Sequence, residues 1–168
     1  MQLEEARDRF LRAWGQLGTN WGISRTMAQI HALLLTSEDA LSTEDIMEAL
    51  SISRGNANMN TRALLDWGLV HKEFRSGERR EFFYAEKDIW KVSRQIARER
   101  RKRELEPALK ILEEIMEEFD EKGVEANNFR SRVKEIHDFS SRIDALLEKF
   151  IKSENSWFLK LVSTFVKK

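Results

Sequence analysis

Arginine and asparagine side chains are concentrated in one short stretch near the middle of the chain. Its five members are Arg54, Asn56, Asn58, Asn60 and Arg62. An arginine can pair bidentately with guanine, and an asparagine with adenine, through the base edges exposed in the major groove of a duplex. Because asparagine lowers helix propensity, an ordinary solvated helix face more often carries glutamate, lysine or glutamine. The stretch predicts a helix face that reads duplex DNA, with a solvated helix face as the alternative.

Small residues at the start of this stretch suit a phosphate group. Ser53, Gly55 and the amides of the first helical turn can receive a phosphate at a helix N-terminus. Met59 is ambiguous, because it can either touch a thymine methyl group or fill the core. The buried stripe of this helix is predicted to consist of Ala57, Thr61 or Leu64, and Leu65.

A second cationic cluster follows about fifteen residues later in the chain. It consists of Arg75, Ser76, Gly77, Arg79 and Arg80. Long cations at the tip of a hairpin can reach the minor groove or its flanking phosphates. The alternative is a basic turn that keeps edge strands from pairing with other chains. We favour contact with DNA because the candidate reading helix comes just before this cluster.

The charge distribution supports a local polyanion site, although the formal net charge is +0. Residues 1–52 carry 4 basic and 8 acidic side chains, and residues 53–103 carry 14 and 7. The remaining residues, 104–168, carry 11 basic and 14 acidic side chains. The middle third is therefore strongly positive, and polyanion binding requires such a patch rather than a basic protein.

Two short helices and a hairpin are predicted to position these clusters. Ser42 or Thr43 caps a helix that ends at Leu50, and a turn of about three residues leads to a second helix from Arg54 to about Trp67. Gly68 then suits the position just after the helix end, where the backbone commonly takes the left-handed conformation. The result is a helix-turn-helix.

Two strand candidates follow, residues 69–75 and 80–85, with a tight turn at residues 76–79 between them. Phe82, Phe83 and Tyr84 have strong strand preference. A hairpin directly after a helix-turn-helix is a wing.

Amphipathic helices are predicted on both sides of this region. Residues 2–17 and 24–36 form two of them, with Ser24 as an N-cap, and Gly15, Gly18 and Gly22 mark the turn between them. Ala40-Leu41 is a short extended segment. After Glu86 the chain is helical, with breaks near Pro107, at Gly123 and at Asn127-Asn128, and a last helix at about 129–152.

The flanking helices carry apolar stripes that need a partner. Leu105, Leu109, Leu112, Met116 and Phe119 follow heptad spacing. A winged helix of this size recognises one half-site, and two-fold symmetric DNA requires a dimer. We therefore predict a homodimer interface, with packing inside the chain as the alternative. Its residues are Leu3, Phe10, Leu105, Leu109, Leu112, Met116, Ile143, Leu147, Phe150, Trp157 and Leu161.

The densest basic run is Arg98–Arg103. It can contact nucleic acid or phosphate, and it can equally be a solvated face paired with Glu99, Glu104 and Glu106. The sequence does not decide between the two.

Several classes of protein are excluded or disfavoured. The chain has 0 cysteines, which excludes disulfides and thiolate metal sites. His31, His71 and His137 lie far apart, and no glycine-rich phosphate loop or nucleophile elbow is present, so we expect no metal, no cofactor and no enzyme activity. Residues 1–5 are acidic and amphipathic, unlike a signal peptide, and no apolar run approaches the ~20 residues of a membrane span. We expect a cytoplasmic protein.

Residues 20–103 resemble the MarR superfamily, and within it the branch of GbsR-type, choline-responsive repressors. The segments that carry the resemblance are Trp21-Gly22-Ile23, residues 41–46, residues 51–56 with Met59-Asn60, Arg62 to Val70, and Gly77 to Phe83. The resemblance implies a dimeric winged-helix regulator with a small-molecule effector. The tryptophans Trp14, Trp21, Trp67 and Trp90 invite an aromatic cage for a quaternary ammonium, but core packing explains their positions better.

Taken together, the sequence predicts a mainly α fold with a small β-wing: a winged helix-turn-helix plus long dimerisation helices. The expected division is an N-terminal helix at 1–22, a DNA-binding domain at 23–86 and a dimerisation region at 87–168. The predicted function is sequence-specific binding of duplex DNA by a homodimeric transcriptional repressor. The alternatives are a winged-helix protein–protein adaptor and a ligand-binding sensor without DNA.

Overall fold

The chain is mainly α-helical and contains one small antiparallel sheet. A computed structural model describes residues 1–20 and 22–153. In chain order the elements are α1 (Leu3–Asn20), α2 (Arg25–Thr36), β1 (Leu41–Ser42), α3 (Thr43–Leu50), α4 (Arg54–Asp66), β2 (Val70–Glu73), β3 (Phe82–Ala85), α5 (Ile89–Arg100), a π-helical segment (Arg101–Leu105), α6 (Glu106–Glu118) and α7 (Val124–Lys152). This order confirms the predicted winged helix followed by helices. Two compact units are present, Met1–Val92 and a unit that begins at Ser93.

The helix-turn-helix consists of α3 and α4, and side-chain caps define both of its helix starts. The Asp45 amide donates to the Ser42 hydroxyl at 3.2 Å, and the Ser42 amide donates back to the Asp45 carboxylate at 2.8 Å. This reciprocal pair satisfies donors that a helix start otherwise leaves without partners. Ser51 turns the chain with a left-handed φ of 51°. The hydroxyl of Ser53 then caps α4 by accepting from the amide of Asn56.

The wing is the β2–β3 hairpin, and β1 completes the sheet in the order β1-β3-β2. Val70 pairs with Ala85 and Glu73 with Phe82, all strands being antiparallel. Gly77, with a φ of 82°, forms the turn at the hairpin tip. The wing therefore begins three residues after α4 ends, which fixes it beside that helix.

Two glycines of α1 have a different role from the one the sequence suggested. α1 continues to Asn20, so Gly15 and Gly18 lie inside the helix and do not mark a turn, whereas Gly22 does, with a φ of 80°. A Cβ at Gly18 would come within 2.4 Å of the Ala28 Cβ, and one at Gly15 within 2.8 Å of the Gln29 side chain. Both glycines allow α1 to approach α2 closely.

The first unit is organised around a core that joins α2, the helix-turn-helix and the sheet. Its largest fully buried apolar side chains are Ile30, Leu34, Ile46, Leu64 and Val70. α4 ends as predicted, because Gly68 takes a φ of 66° and the Leu69 amide donates to the Leu64 carbonyl at 3.0 Å. The core thus holds the inner face of α4 while its outer face stays open.

In the second unit, α6 and α7 pack against each other in antiparallel directions. The Phe119 and Phe129 rings lie 5.1 Å apart, and further along the pair His137 is 3.4 Å from Glu113. α7 begins directly after Gly123, so the predicted break at Asn127-Asn128 is wrong. One long helix here buries Ala126 and Val133, which offsets the weak helix propensity of two asparagines. No helix within the described ranges is long and apolar enough to span a membrane.

The predicted heptad stripe lies on α6 and in the segment just before it. Leu105, Leu109, Leu112 and Met116 are half-buried without any second copy of the chain. Because α6 packs against α7, the alternative of packing inside the chain accounts for this partial burial. A heptad pattern shows that a partner helix exists, but it does not show which helix it is.

Candidate nucleic-acid interface

The recognition-helix candidate α4 has one buried and one exposed face. Ala57, Asn60, Thr61 and Leu64 are buried. The exposed face consists of Arg54, Gly55, Met59, Arg62 and Asp66, with Asn58 half-buried beside them. This division follows the 3.6-residue period of the helix.

Asn60 does not lie on the exposed face, so that part of the sequence prediction is wrong. Its exposed fraction is 3%. Successive helical residues are rotated by about 100°, so Arg54, Asn58 and Arg62 share one face whereas Asn56 and Asn60 fall on the opposite one. The helical period alone would have separated these two groups.

Asn60 and Asn56 form a hydrogen-bonded pair at the inner edge of α4. The Asn60 amide nitrogen donates to the Asn56 backbone carbonyl at 2.9 Å and to its side-chain oxygen at 2.7 Å. Bidentate pairing with adenine uses both the oxygen and the nitrogen of an asparagine amide. Because the Asn56 oxygen is already engaged, Asn58 is better placed than Asn56 to read a base.

A groove of about 360 Å³ lies between α4 and the wing. Its lining contains five cationic side chains and two carboxylates. These are Arg54, Arg62, Lys72, Arg79 and Arg80, together with Glu44 and Glu81. The excess of cations makes the groove suitable for a polyanion such as a phosphate backbone.

Acidic neighbours engage three of the five cations. Arg54 donates to the Glu44 carboxylate at 2.6 Å, Arg80 to Glu78 at 3.2 Å, and Lys72 bonds Glu81. The backbone N–H of Glu44 and then the Arg54 guanidinium hold the pKa of Glu44 below its ordinary value. Glu44 therefore stays ionised and keeps Arg54 over the start of α3.

Arg62 and Arg79 are the cations of the groove without such a partner. Within residues 1–20 and 22–153, neither side chain forms an ion pair or a hydrogen bond. Arg62 is on the exposed face of α4, and Arg79 is on the wing. Their charges are available to a ligand at no cost in lost protein contacts.

The remaining wing residues divide between the tip and the base. Ser76 and Gly77 are exposed at the tip. At the base, Arg75 donates to Glu73 at 2.6 Å and to the Ala40 carbonyl at 3.4 Å. Its guanidinium also lies 4.0 Å from the Phe82 ring centroid. Arg75 thus braces the wing, a role that the sequence did not reveal because its partners lie in other elements.

The basic run at 98–103 belongs to the second unit and is largely paired with acidic side chains. Arg100 bonds Glu104 at 3.1 Å, and Arg101 bonds Asp144 through two contacts of 2.6 and 2.9 Å. The paired alternative left open by the sequence therefore describes these arginines.

Two of the tryptophans that invited an aromatic cage are packed against other residues of the first unit. Trp67 is buried in the core, and Trp14 packs against the Phe10 ring with centroids 5.4 Å apart. Trp21, Trp157 and Leu161 lie outside the described residues. No cluster of three or more histidine and acidic side chains that could hold a metal ion occurs among the residues described.

Part of an apolar face of α7 is exposed. Phe129, Ile136, Phe139, Ile143 and Leu146 are exposed by 47%, 54%, 65%, 37% and 58%. The steps between them are 7, 3, 4 and 3, which is heptad spacing. We call these five residues the outer stripe. Of the five, only Ile143 belongs to the dimer interface predicted from the sequence, although the heptad spacing is visible there.

Comparison with known proteins points to regulators of transcription. Over 89 residues the chain is 27% identical to the HTH-type transcriptional repressor GbsR of Bacillus subtilis (strain 168), a match that covers 53% of this chain and 49% of that protein. The chain thus matches about half the length of this curated relative. A crystal structure described as a transcriptional regulator superposes with a TM-score of 0.67 and 18% identity, covering 87% of this chain and 95% of the other. It shows the fold. No family model matches the chain.

Proposed function

We propose that this protein is a transcriptional repressor of the MarR superfamily that binds duplex DNA as a homodimer in the cytoplasm. The observation that carries the proposal is the groove between α4 and the wing, where Arg62 and Arg79 have no acidic partner. The similarity to GbsR, itself named a repressor, supports the same function.

In this proposal, α4 enters the major groove and reads base edges. Arg62 pairs bidentately with a guanine, and Asn58 pairs with an adenine. Both residues stand on a helix whose opposite face is held by the core, so their side chains start from fixed positions.

Other groups contact the phosphate backbone and set the register of the protein on DNA. Arg79 supplies a cation from the wing, beside Ser76 and Gly77 at its tip. Gly55 and Ser53 bring the first turn of α4 close to a phosphate. Arg54 and Arg80 also contact phosphates, after releasing their ion-pair partners Glu44 and Glu78. Arg75 keeps its contacts at the base of the wing.

The homodimer rests on the outer stripe of α7. Five large apolar side chains in heptad spacing on one helix face are typical of a helix–helix contact. A two-fold symmetric pair of winged helices reads half-sites about 34 Å apart in successive major grooves. A promoter bound in this way is blocked. A small molecule that prefers one spacing of the two α4 helices would shift the affinity for DNA.

Replacement of Arg62 tests the base-reading role. Arg62→Ala is expected to weaken binding to a selected site by roughly tenfold to 100-fold, the worth of one bidentate base contact. The matched control is Arg12→Ala, because Arg12 is equally exposed on α1 and forms only a 3.8 Å pair with Asp8. Titration of a labelled duplex by fluorescence anisotropy measures both affinities. Equal affinities for the two variants would remove Arg62 from the interface.

A further inference from the structure

Met59 is a large apolar side chain on the exposed face of α4. Its exposed fraction is 64%, so it does not fill the core, which was the other role open to it from the sequence. A solvated helix position is served as well by glutamine or lysine, which have similar helix propensity and no apolar end to hydrate. The fold therefore supplies no reason for methionine at this position.

The surroundings of Met59 leave its thioether open to a ligand. Gly55 lies one helical turn earlier, and a Cβ built there meets no atom within 4 Å among the residues that the structure describes. No side-chain atom of Met59 therefore lies within 4 Å of that position. Arg62 stands one turn later on the same side of α4.

The chemistry of the major groove contains one apolar group, the C5-methyl of thymine. We propose that Met59 is a specificity-determining residue that contacts this methyl group, next to the base pair read by Arg62. The inference rests on the proposed function, because it assigns a base to a residue of the same recognition helix. Methionine suits the contact because its side chain is long, flexible and polarisable.

The experiment replaces thymines by uracil, one position at a time, in a duplex selected by the full-length protein. Uracil lacks only the methyl group, so its hydrogen bonds are unchanged. At one position of each half-site we expect the wild-type affinity to fall about fourfold, the worth of one buried methyl-sized group. Met59→Gln, of similar length, should bind the thymine and uracil duplexes equally. Met59→Leu should keep the preference for thymine.

Several outcomes would overturn the inference. A site with no uracil-sensitive position, or a uracil effect that persists in Met59→Gln, would show that Met59 reads no methyl group. Arg62→Ala serves as the control for general weakening, because it should lower affinity but keep the uracil effect. Failure of the wild-type protein to select any site is a separate result, and it would remove the proposed function as well.

Discussion

Arg62 and Arg79 carry the same charge but belong to different elements, a packed helix and an exposed hairpin. We therefore expect them to make different contacts with DNA. Arg62 projects from a helix whose inner face is packed into the core, so it can meet a base edge in a fixed geometry. Arg79 is on the exposed tip of a hairpin, where a less exact contact with phosphates suffices. The proposed function therefore gives base specificity to Arg62 and general affinity for phosphates to Arg79.

Gly55 allows stability and DNA binding to be separated. A glycine inside a helix costs about 0.5–1 kcal/mol relative to alanine, and a Cβ at Gly55 would find open space in the described part of the chain. Gly55→Ala should therefore raise the melting temperature in thermal denaturation. It should also lower affinity for a selected duplex, because the methyl group would stand between α4 and the DNA.

Gly18→Ala provides the contrast for the stability part of this prediction. Its Cβ would lie only 2.4 Å from that of Ala28, so this substitution should lower the melting temperature. A stabilised Gly55→Ala with unchanged affinity would show that DNA does not approach Gly55 closely.

His31 should make the stability of the fold depend on pH. Burial lowers the pKa of His31 from 6.5 to about 4, and its Nε2 has no hydrogen-bond partner among the described residues. Between pH 6.5 and 4 the unfolded chain binds a proton that the folded chain does not. Acidification through this range should therefore reduce the free energy of unfolding, by on the order of 2–3 kcal/mol in total.

The substitution His31→Leu isolates this effect. Chemical denaturation from pH 7 to pH 4 should show a smaller loss of stability in His31→Leu than in the wild-type protein. The exposed His71 supplies the control, because His71→Gln should leave the loss in place. An unchanged loss in His31→Leu would assign the acid sensitivity to other groups.

At the level of elements, α7 carries apolar residues on two sides. One side, with Ala126 and Val133 buried, packs against α6. The outer stripe is exposed, although the ring of its first member, Phe129, also contacts Phe119. Exposure of five large apolar side chains on one helix costs solubility unless a partner covers them. In the proposed function, a second copy of the chain covers the outer stripe.

Two charged substitutions in the outer stripe should separate the homodimer. In Ile136→Glu combined with Ile143→Glu, the carboxylates would have to be buried at the contact, whereas in the monomer they stay in water. Sedimentation at micromolar concentration should show a dimer for the wild-type protein and a monomer for the double variant, with unchanged helical circular dichroism.

Ile111→Glu is the matched control for the dimer. Ile111 is 56% exposed on α6, outside the outer stripe. This variant should remain dimeric. A wild-type monomer, or a double variant that stays dimeric, would contradict the assigned interface.

Local rules account for most of what the sequence predicted correctly. The cap at Ser42, the stop at Gly68 and the hairpin at Gly77 each follow from a few neighbouring residues. The errors concern contacts between elements. The role of Gly15 and Gly18 depends on the close approach of α2, which the sequence alone does not show. Asn60 is different, because the helical period alone would have placed it inside.

At the level of the whole molecule, the proposed function requires two surfaces. The groove between α4 and the wing binds DNA, and the outer stripe of α7 forms the homodimer. A two-fold symmetric site requires both, since one winged helix reads only one half-site. Phosphate contacts also release counterions, so affinity must fall steeply with salt. An adaptor that binds only proteins would show neither property.

The most direct test of the central claim is selection of sequences from a pool of random duplexes by the full-length protein at two salt concentrations. For a homodimer that binds duplex DNA, we expect an enriched, two-fold symmetric site with half-sites about 10 base pairs apart, and a steep loss of affinity at the higher salt. No enrichment at either salt would contradict it and favour the adaptor.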